Sequence, residues 1–375
     1  MKKNNPTKKI ILALIAIGLF GLIFKNFSDS QKQSSSDSTK PTVKIGVIAP
    51  LTGDSAILGQ NCMNGIKFAL ENIKNSGVQY EVMFEDDAFQ LANAAKIANK
   101  FVNVDKVDVL FTCSSPSGSA AVSYSKNGKK FMFTVIASAE EIAENSPYSF
   151  LHWTSPKSEG SKAAELVESK KAKKVVIFEQ NHSGAKALGD SFREALKEKG
   201  IQEITYTYMA SERNFHDMIA KADRENADIF MLLTLPPSID IITKNLKEKG
   251  ITTPYTSIEL PTIIEDKSAF ENVEFIDVCD GDPEIINKFK KKHNTENTFG
   301  VAFAYDGIMI INHIINDFYK ENKRVPNSEE LTNAMYNLKN WNGVVGEVIV
   351  DSNRVLKSNA VLKIIKNGKP VAIEE

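Results

Sequence analysis

The chain has 375 residues, of which 42% are hydrophobic and 25% are charged, as is typical of globular proteins with room for two domains. Its 46 Lys and Arg residues and 47 Asp and Glu residues leave a net charge of -1, so no basic excess exists to neutralise phosphates and we exclude a nucleic-acid partner. The three cysteines, Cys62, Cys113 and Cys279, lack the spacing of a zinc or redox motif, and we expect neither a metal nor a cofactor.

The chain starts with the pattern of an export signal. Four lysines within residues 1–9 precede fifteen uncharged and mostly apolar residues, 10–24. As a helix this run spans about 22 Å, which is less than a hydrocarbon core of ~30 Å, and no small-residue cleavage site follows it. Residues 1–27 are therefore predicted to be either a cleaved signal peptide or a retained membrane anchor. In both cases the remaining chain lies in the periplasm or at the outer face of the cytoplasmic membrane, after a disordered linker at 28–41.

From residue 42 onward, predicted strands and helices alternate. The first series has strands 43–49, 80–84, 108–112 and 130–135 and helices 61–74, 91–102 and one that begins near residue 120. The second has helices 159–169, 185–199, 214–225 and 238–249 and strands 174–178, 203–208, 229–234 and 254–257. This alternation predicts an α/β fold of two doubly wound parallel-sheet lobes with a ligand cleft between them.

The last part of the chain breaks this rhythm. Helices are predicted at 283–293, 301–319 and 328–338, the second of them apolar nearly all round and therefore buried, and late strands at 347–350 and 360–365. Elements added after two complete sheets suggest that the chain crosses back between the lobes and forms a multi-strand hinge. We assign residues 42–156 and 280–340 to lobe 1, and residues 157–279 and 341–375 to lobe 2.

Small hydroxyl residues follow the predicted strand at 108–112. Cys113, Ser114 and Ser115 lead into a helix, and such a junction presents hydroxyls, free N–H groups and the positive end of the helix dipole to an anion. No His or Lys stands nearby in the sequence to activate either serine as a nucleophile. The pattern predicts a socket for a carboxylate; the alternative is a serine that only caps its own helix.

Motifs for catalysis and nucleotide binding are missing from the sequence. Residues 52–60 lack the Gly-Lys-Ser/Thr ending of a phosphate loop, and neither GxGxxG nor GxSxG occurs. The five histidines are scattered without a metal-ligand spacing. The acidic run at 85–87 is the candidate for a hydrolase centre, but at a strand end before a helix it is more readily explained as a solvated cap. We predict that the chain is not an enzyme.

Several strings, in their order and spacing, resemble a known family. They are VKIGVIAPLTGDSAILGQ, NGIKFALENI, FEDDAFQLANAAKIANKFV, VIASAEE, SIEL, AYDG and GVVGEVIVDSNR, together with the Cys-Ser-Ser stretch. They are similar to the branched-chain amino-acid (Leu/Ile/Val) binding proteins of ABC importers, which have the type I periplasmic-binding fold. The resemblance extends from about Val43 to Lys369. It implies an exported solute-binding protein that closes on its ligand by hinge motion and docks on the permease subunits of an ABC transporter.

The resemblance also implies a ligand site. In the family, the serine after the third strand holds the ligand carboxylate, which implies this role for Ser114, with Ser115 beside it. The exit of the next strand implies contacts from the backbone of Ile136 and from Ser138. An acid after the last strand of the second lobe takes the ligand ammonium, which implies this role for Glu259.

Other family positions differ in this sequence. An aromatic wall residue corresponds to Leu58, the Tyr of a Tyr-Gly pair to Ser183, and a tyrosine of the second lobe to Leu235 or Pro236. These departures imply a wider or more polar pocket and argue against leucine or valine as the ligand. Asp306, in the string AYDG, is a further candidate for ligand contact, with a helix cap or hinge contact as the alternative.

The resemblance bears on the cysteines as well. Cys113 matches a family cysteine whose usual disulfide partner corresponds to Phe89 here, so that disulfide is predicted to be absent. A substitute pairing of Cys113 with Cys62 stays open.

We therefore expect a monomeric solute-binding protein for an amino acid or a similar small polar ligand, with membrane contact only through its N-terminal segment. One alternative is a membrane-tethered ligand sensor of the same fold. Another is a binder of amides or urea-type ligands that uses the same serines and depends little on Glu259.

Overall fold

The computed structural model describes residues 40–339 and 341–373. The predicted signal or anchor segment, and all of the predicted linker except its last two residues, lie outside the described residues. Among the residues that are described, no helix combines the length and the apolar character needed to cross a bilayer.

The first sheet contains six parallel strands. They are β1 (Thr42–Ala49), β2 (Gln79–Asp86), β3 (Val109–Thr112), β4 (Met132–Val135), β5 (Ser149–Thr154) and β13 (Val355–Ser358). Their order in the sheet is β13–β5–β4–β3–β1–β2. Every residue of β3, β4 and β5 is buried, because helices cover both faces of a parallel sheet.

Helices of the first lobe connect these strands. They are α1 (Ala56–Asn72), α2 (Leu91–Lys100, continued by a π-type turn at Phe101–Asp105), α3 (Ser115–Gly128) and the single turn α4 (Glu141–Glu144). Helix α3 begins directly after β3, so its N-terminus lies at the carboxyl edge of the sheet, where ligands of such folds bind.

The second sheet has four parallel strands in the order β7–β6–β8–β9. The strands are β6 (Lys174–Gln180), β7 (Gln202–Tyr208), β8 (Ile229–Leu233) and β9 (Tyr255–Ser257), and the helices around them are α5 (Pro156–Ser169), α6 (Ser183–Glu198), α7 (His216–Arg224) and α8 (Ser238–Glu248). Short 3-10 turns follow at Leu260–Thr262 and Lys267–Phe270. Helix α6 begins after β6 just as α3 begins after β3.

The remaining elements return toward the first lobe and then form the strands near the hinge. They are β10 (Glu274–Asp277), α9 (Pro283–His293), α10 (Val301–Asn322), α11 (Ser328–Tyr336), β11 (Trp341–Gly343), β12 (Gly346–Val348), β14 (Val361–Lys366) and β15 (Lys369–Ala372). The Phe68 ring of α1 lies 5.6 Å from that of Phe289 in α9 and 5.7 Å from that of Tyr305 in α10, so both helices pack on the first lobe.

The late strands divide between the lobes. Strands β14 and β15 form an antiparallel sheet with β10, and a parallel bridge between Ile258 and Ile276 joins this sheet to the end of β9. Strand β13 instead pairs with β5 at the edge of the first sheet. The assignment of all of residues 341–375 to lobe 2 is therefore corrected for Val355–Ser358. The sequence analysis predicted no strand at 355–358, because this strand pairs with a distant partner: Leu356 lies opposite His152, 204 residues away in the chain.

Candidate functional site

A small cavity of ≈ 50 Å³ lies where the exits of the two parallel sheets face each other. Seven of the nine residues expected to contact a ligand line it, and these are Leu58, Ser114, Ser115, Ile136, Ser138, Leu235 and Glu259. The cavity is small beside pockets that enclose drug-sized ligands, roughly 300–1,000 Å³. Most of its remaining lining is apolar, so the wider or more polar pocket implied by the family comparison is not what the structure contains.

The other two candidates lie elsewhere. The Asp306 carboxylate accepts hydrogen bonds from the backbone N–H groups of Val344 (2.8 Å) and Val345 (2.9 Å), and it thereby ties α10 to the β11–β12 ribbon. This is the hinge-type contact that was the alternative for Asp306. Ser183 is half-buried, and its hydroxyl accepts a hydrogen bond from Ser119 in the other lobe.

Ser114 caps α3 and ends a chain of hydrogen bonds that leads away from the cavity. Its Oγ accepts the backbone N–H of Ser117 at 3.1 Å and lies 2.5 Å from the Ser117 Oγ. The Ser117 hydroxyl in turn donates to the buried Asp87 carboxylate. Ser117 donates its single hydroxyl proton in the hydrogen bond to Asp87. The hydrogen bond between the two serines therefore uses the hydroxyl proton of Ser114, with Ser117 Oγ as the acceptor. Toward the cavity, Ser114 Oγ therefore offers a lone pair and no donor.

Ser115 is the serine of this pair with a free proton. Its Oγ accepts the backbone N–H of Ser138 at 3.0 Å, which leaves the hydroxyl proton available to a ligand. The next residue, Pro116, has no N–H, and the N–H of Ser117 is held by Ser114. The donors that the N-terminus of α3 can present to an anion are thus concentrated on Ser115.

Two strand exits at the cavity have a left-handed backbone. Ile136, directly after β4, has φ 54°, and Glu259, shortly after β9, has φ 67°. Side chains with a Cβ rarely adopt this region, least of all a β-branched one, and such residues persist where the surrounding structure holds them and are concentrated at functional sites. The sharp turns leave both residues in the cavity wall.

Among the described residues that line the cavity, Glu259 alone has a carboxyl group. It is 7% exposed, and its Oε1 accepts the indole N–H of Trp153 at 2.8 Å. Burial raises the pKa of Glu259 to about 7, while hydrogen bonds from Trp153 and Ser138 lower it. Among the described residues that line the cavity there is no Lys or Arg, and burial lowers the pKa of His182 to about 4, so that its ring is neutral at pH 7.

The sequence reasoning missed several residues of the wall. Phe89 and His182 face each other across the cleft with ring centroids 5.6 Å apart, and Phe299 contributes from the loop before α10. Phe89 was noted only as the replacement of a family cysteine. The sequence also gave no sign that Trp153 donates a hydrogen bond to Glu259, because the two residues are 106 positions apart in the chain.

The acidic run at 85–87 is not the solvated cap that was expected. Glu85 does pair with Lys100 at the surface. Asp86, however, holds the β1–α1 loop by accepting the N–H of Leu51 at 2.8 Å, and Asp87 is 0% exposed and bonded to Ser117. Through the hydrogen bond from Ser117 to Asp87, the run thus helps to fix the cavity wall at Ser114.

The two lobes touch around the cavity. At Gly184, the first full turn of α6 approaches α3 so closely that an added Cβ would lie 2.8 Å from Ser115 Oγ. Elsewhere between the lobes, Arg213 of the second lobe forms an ion pair with Asp54 of the first at 2.6 Å. These contacts bring the two lobes together.

A disulfide joins Cys62 to Cys113, which answers the question that the sequence left open. It links α1, one turn after Leu58, to the residue directly before Ser114. Cys279 is a free cysteine. Within the described parts of the chain, no three His, Cys, Asp or Glu side chains are grouped so that they could hold a metal ion.

A second, larger groove of ≈ 1670 Å³ runs between the start of α1 and the segment 236–298. Of the positions considered for ligand contact, Pro236, the alternative to Leu235, lines this groove, and its wall contains many charged side chains such as Lys244, Lys247 and Glu265. The smaller cavity, lined by seven of the candidates, is therefore the candidate ligand site.

Comparison with known proteins points to a single family. The family model described as periplasmic binding protein matches residues 42–369. The chain is similar to a leucine-, isoleucine-, valine-, threonine- and alanine-binding protein of Pseudomonas aeruginosa, with 24% identity over 83% of this chain and 84% of that protein. It is also similar to an amino acid binding protein of the same organism, with 25% identity over 67% of this chain and 66% of that protein, so it spans about two thirds of that relative.

Solved structures share the fold. A leucine binding protein from Thermotoga maritima has a TM-score of 0.81 and 22% identity, over 88% of this chain and 98% of that one. A solute-binding protein of an ABC transporter from R. palustris, in complex with 4-hydroxybenzoate, has a TM-score of 0.77 and 20% identity, over 89% and 96% of the two chains.

Proposed function

Because this chain belongs to the periplasmic binding protein family, we propose that it is the substrate-binding component of an ABC importer and closes its lobes around an amino acid or a similar small polar ligand. Membership of the family confirms the resemblance seen in the sequence, and the structural neighbours confirm the two-lobed α/β fold. The family and these relatives are non-enzymatic solute-binding proteins, as expected. Membership also implies an extracytoplasmic location.

The buried carboxyl group of Glu259 carries the proposal for the ligand. An ionised Glu259 that faces a small apolar cavity is costly without a positive partner, so the group either takes up a proton or meets a cation, and no Lys or Arg is among the described residues that line the cavity. A ligand ammonium supplies that partner. An aromatic acid, such as the one bound by the R. palustris protein, brings only another negative charge. The polarity of the cavity thus favours an amine-bearing ligand.

Other groups in the wall of the cavity suit the carboxylate end of a zwitterion. The free hydroxyl proton of Ser115 and the N-termini of α3 and α6 border the cavity, and hydroxyls and backbone N–H groups hold a carboxylate without an arginine. Ile136 and Ser138 are proposed to contact the ligand from the exit of β4, and Ser114 to accept a hydrogen bond from it.

Binding is proposed to act by hinge closure. Ser115 belongs to the first lobe and Glu259 follows the last parallel strand of the second, so a ligand that contacts both stabilises the closed state. The permease subunits of the importer would recognise this state. We propose that the chain acts as a monomer. Whether it is shed or stays tethered as a sensor depends on the N-terminal segment, which lies outside the described residues.

The cavity volume favours a second candidate, a very small amide or urea-type ligand. At ≈ 50 Å³ the space is a few times the roughly 10–15 Å³ that one water requires. A neutral amide would use Ser114 and Ser138 and would not require an ionised Glu259.

A thermal-shift screen separates these candidates. Purified protein is tested with single L-amino acids, with 4-hydroxybenzoate, and with urea and small amides. A compound at 100 times its Kd adds about 2.7 kcal/mol of stability and raises the melting temperature. We expect an amino acid to do so, and Glu259→Gln to abolish the shift while Glu265→Gln, an exposed acid of the larger groove, leaves it unchanged.

A shift by 4-hydroxybenzoate alone would contradict the proposal for the ligand. A shift by urea or amides that survives in Glu259→Gln would establish the second candidate instead.

A further inference from the structure

Glu159 lies in the first turn of α5 and is 0% exposed. Neither of its carboxyl oxygens has a hydrogen-bond donor within the described structure. A buried carboxylate without donors is among the least favourable arrangements in a protein interior, so the group requires an explanation.

The neighbour that explains it is Glu259. The side chains of Glu159 and Glu259 are hydrogen-bond neighbours, and of the two only Glu259 is among the described residues that line the cavity. Two carboxylates cannot bond to each other, because neither has a proton to donate. If Glu159 carries a proton, its O–H donates to Glu259 and the buried pair holds one negative charge in place of two.

The bonding of Glu259 decides which carboxyl holds the proton. Glu259 already accepts the indole N–H of Trp153, and the Ser138 hydroxyl also acts on it as a donor. These donors favour the ionised form of Glu259. Glu159 has no such donors, and burial together with the neighbouring Glu259 raises the pKa of Glu159 well above its ordinary value.

We propose that Glu159 is a positioning residue for the ligand site: it holds a proton, donates it to Glu259, and so keeps Glu259 an anion that faces the ligand ammonium. This inference rests on the proposed function in so far as Glu259 binds the amine end of the ligand. Its consequence is that acidification, which protonates Glu259 as well, releases an amine-bearing ligand.

Other charged groups near the pair do not replace this arrangement. On β10 and β14, Asp277 is buried against Lys363 at 2.9 Å, and Asp280 also pairs with that lysine, so its charge is already shared. The remaining charged side chains of α5 are half-buried or exposed. His182, in the cavity wall, is neutral at pH 7.

Helix α6 packs against α5, and three of its charged side chains are engaged with other partners. Arg193 bonds to Glu179 and to Asp190, and Lys186 also pairs with Asp190. None of these contacts involves Glu159.

The indole of Trp153 provides a readout that needs no ligand. The chain has two tryptophans, so Trp341→Phe leaves Trp153 as the only tryptophan, and its emission, excited selectively over the tyrosines, reports on an indole bonded directly to Glu259. In this background we expect the fluorescence to titrate near pH 7, and Glu259→Gln to remove the transition.

Two substitutions of Glu159 then distinguish the effect of its proton from the effect of its side-chain volume. Glu159→Leu removes the donor, and the transition should move upward by about one to two pH units, the equivalent of one hydrogen bond to a charged group. Glu159→Gln keeps an N–H donor and should leave the midpoint nearly unchanged. An unmoved midpoint in Glu159→Leu, or an equal movement in both variants, would overturn the proposal.

Melting curves from pH 5 to 9 give an independent test if Glu159→Leu does not fold. A folded-state pKa above the unfolded one means that the stabilising contribution is present below the unfolded pKa and is lost as the pH rises through the folded one. The unfolding constant of wild type relative to Glu159→Gln should therefore rise with pH, by up to about tenfold per unit. The exposed Glu165→Gln on the same helix should show no such trend, and a flat profile for Glu159→Gln would refute a proton on Glu159.

Both tests are made without ligand, so they stand apart from the ligand screen. A screen without hits would count against the proposed ligand class and leave the titration of the pair intact.

Discussion

Removal of the Cys62–Cys113 disulfide is expected to destabilise the protein and to make the cavity wall at Ser114 and Ser115 more mobile. Both cysteines are 0% exposed, and they join α1 to the residue before Ser114. The matched perturbations are the double substitution Cys62→Ala with Cys113→Ala and treatment of the wild type with a reductant under mildly destabilising conditions that expose the bond.

The magnitude follows from the loop that the disulfide closes. The two cysteines are 51 residues apart, and the chain-entropy relation gives about 4 kcal/mol for a loop of this length at 25 °C. With an unfolding entropy of about 2.1 cal/mol/K per residue, this corresponds to a fall of roughly 6 °C in the melting temperature. Loss of the buried sulfur contacts adds to the effect in the double variant.

Differential scanning calorimetry with and without reductant measures the effect. The reductant should lower the melting temperature of the wild type and of Cys279→Ser, which keeps the disulfide and removes the free thiol, but not that of the double variant. Two free thiols at Cys62 and Cys113 in protein purified under oxidising conditions, or equal melting temperatures for wild type and double variant, would refute the reasoning.

Three further predictions concern the cavity and the contacts between the lobes. Ser115→Ala should weaken binding of a carboxylate-bearing ligand by about tenfold or more in calorimetric titration, because it removes the free donor, whereas Ser114→Ala should mainly cost about 1 kcal/mol of stability as a lost helix cap. Gly184→Ala should hold the lobes apart, since its Cβ would lie 2.8 Å from Ser115 Oγ; an unchanged affinity and radius of gyration would contradict this. Exchanging the charges of Asp54 and Arg213 should restore any affinity lost in the single variants, and those losses should be within about 1 kcal/mol and vanish in high salt, because both side chains are exposed.

The corrections to the sequence-based site share one cause. Ser114 was predicted correctly as the residue at the exit of the third strand, but the direction of its hydroxyl proton depends on Ser117 and on Asp87, which comes from another strand. Asp306 was a candidate for ligand contact because of a local string, with a cap or hinge contact as the alternative, and its carboxylate bonds to the backbone N–H of Val344, 38 residues away. Local patterns place a residue at an edge of the fold, and distant partners determine what it does there.

The sequence by itself determined the alternation of strands and helices, the two parallel sheets, and the serines and the acid at strand exits, because these depend on hydrophobic periodicity and on capping within a few residues. Only the tertiary structure decided that Cys62 pairs with Cys113, that β13 joins the first sheet, and that the side chain of Glu159 meets that of Glu259. Each of these joins segments at least 51 residues apart, and no local preference specifies which of many compatible partners a buried side chain meets when the sheets and helices pack.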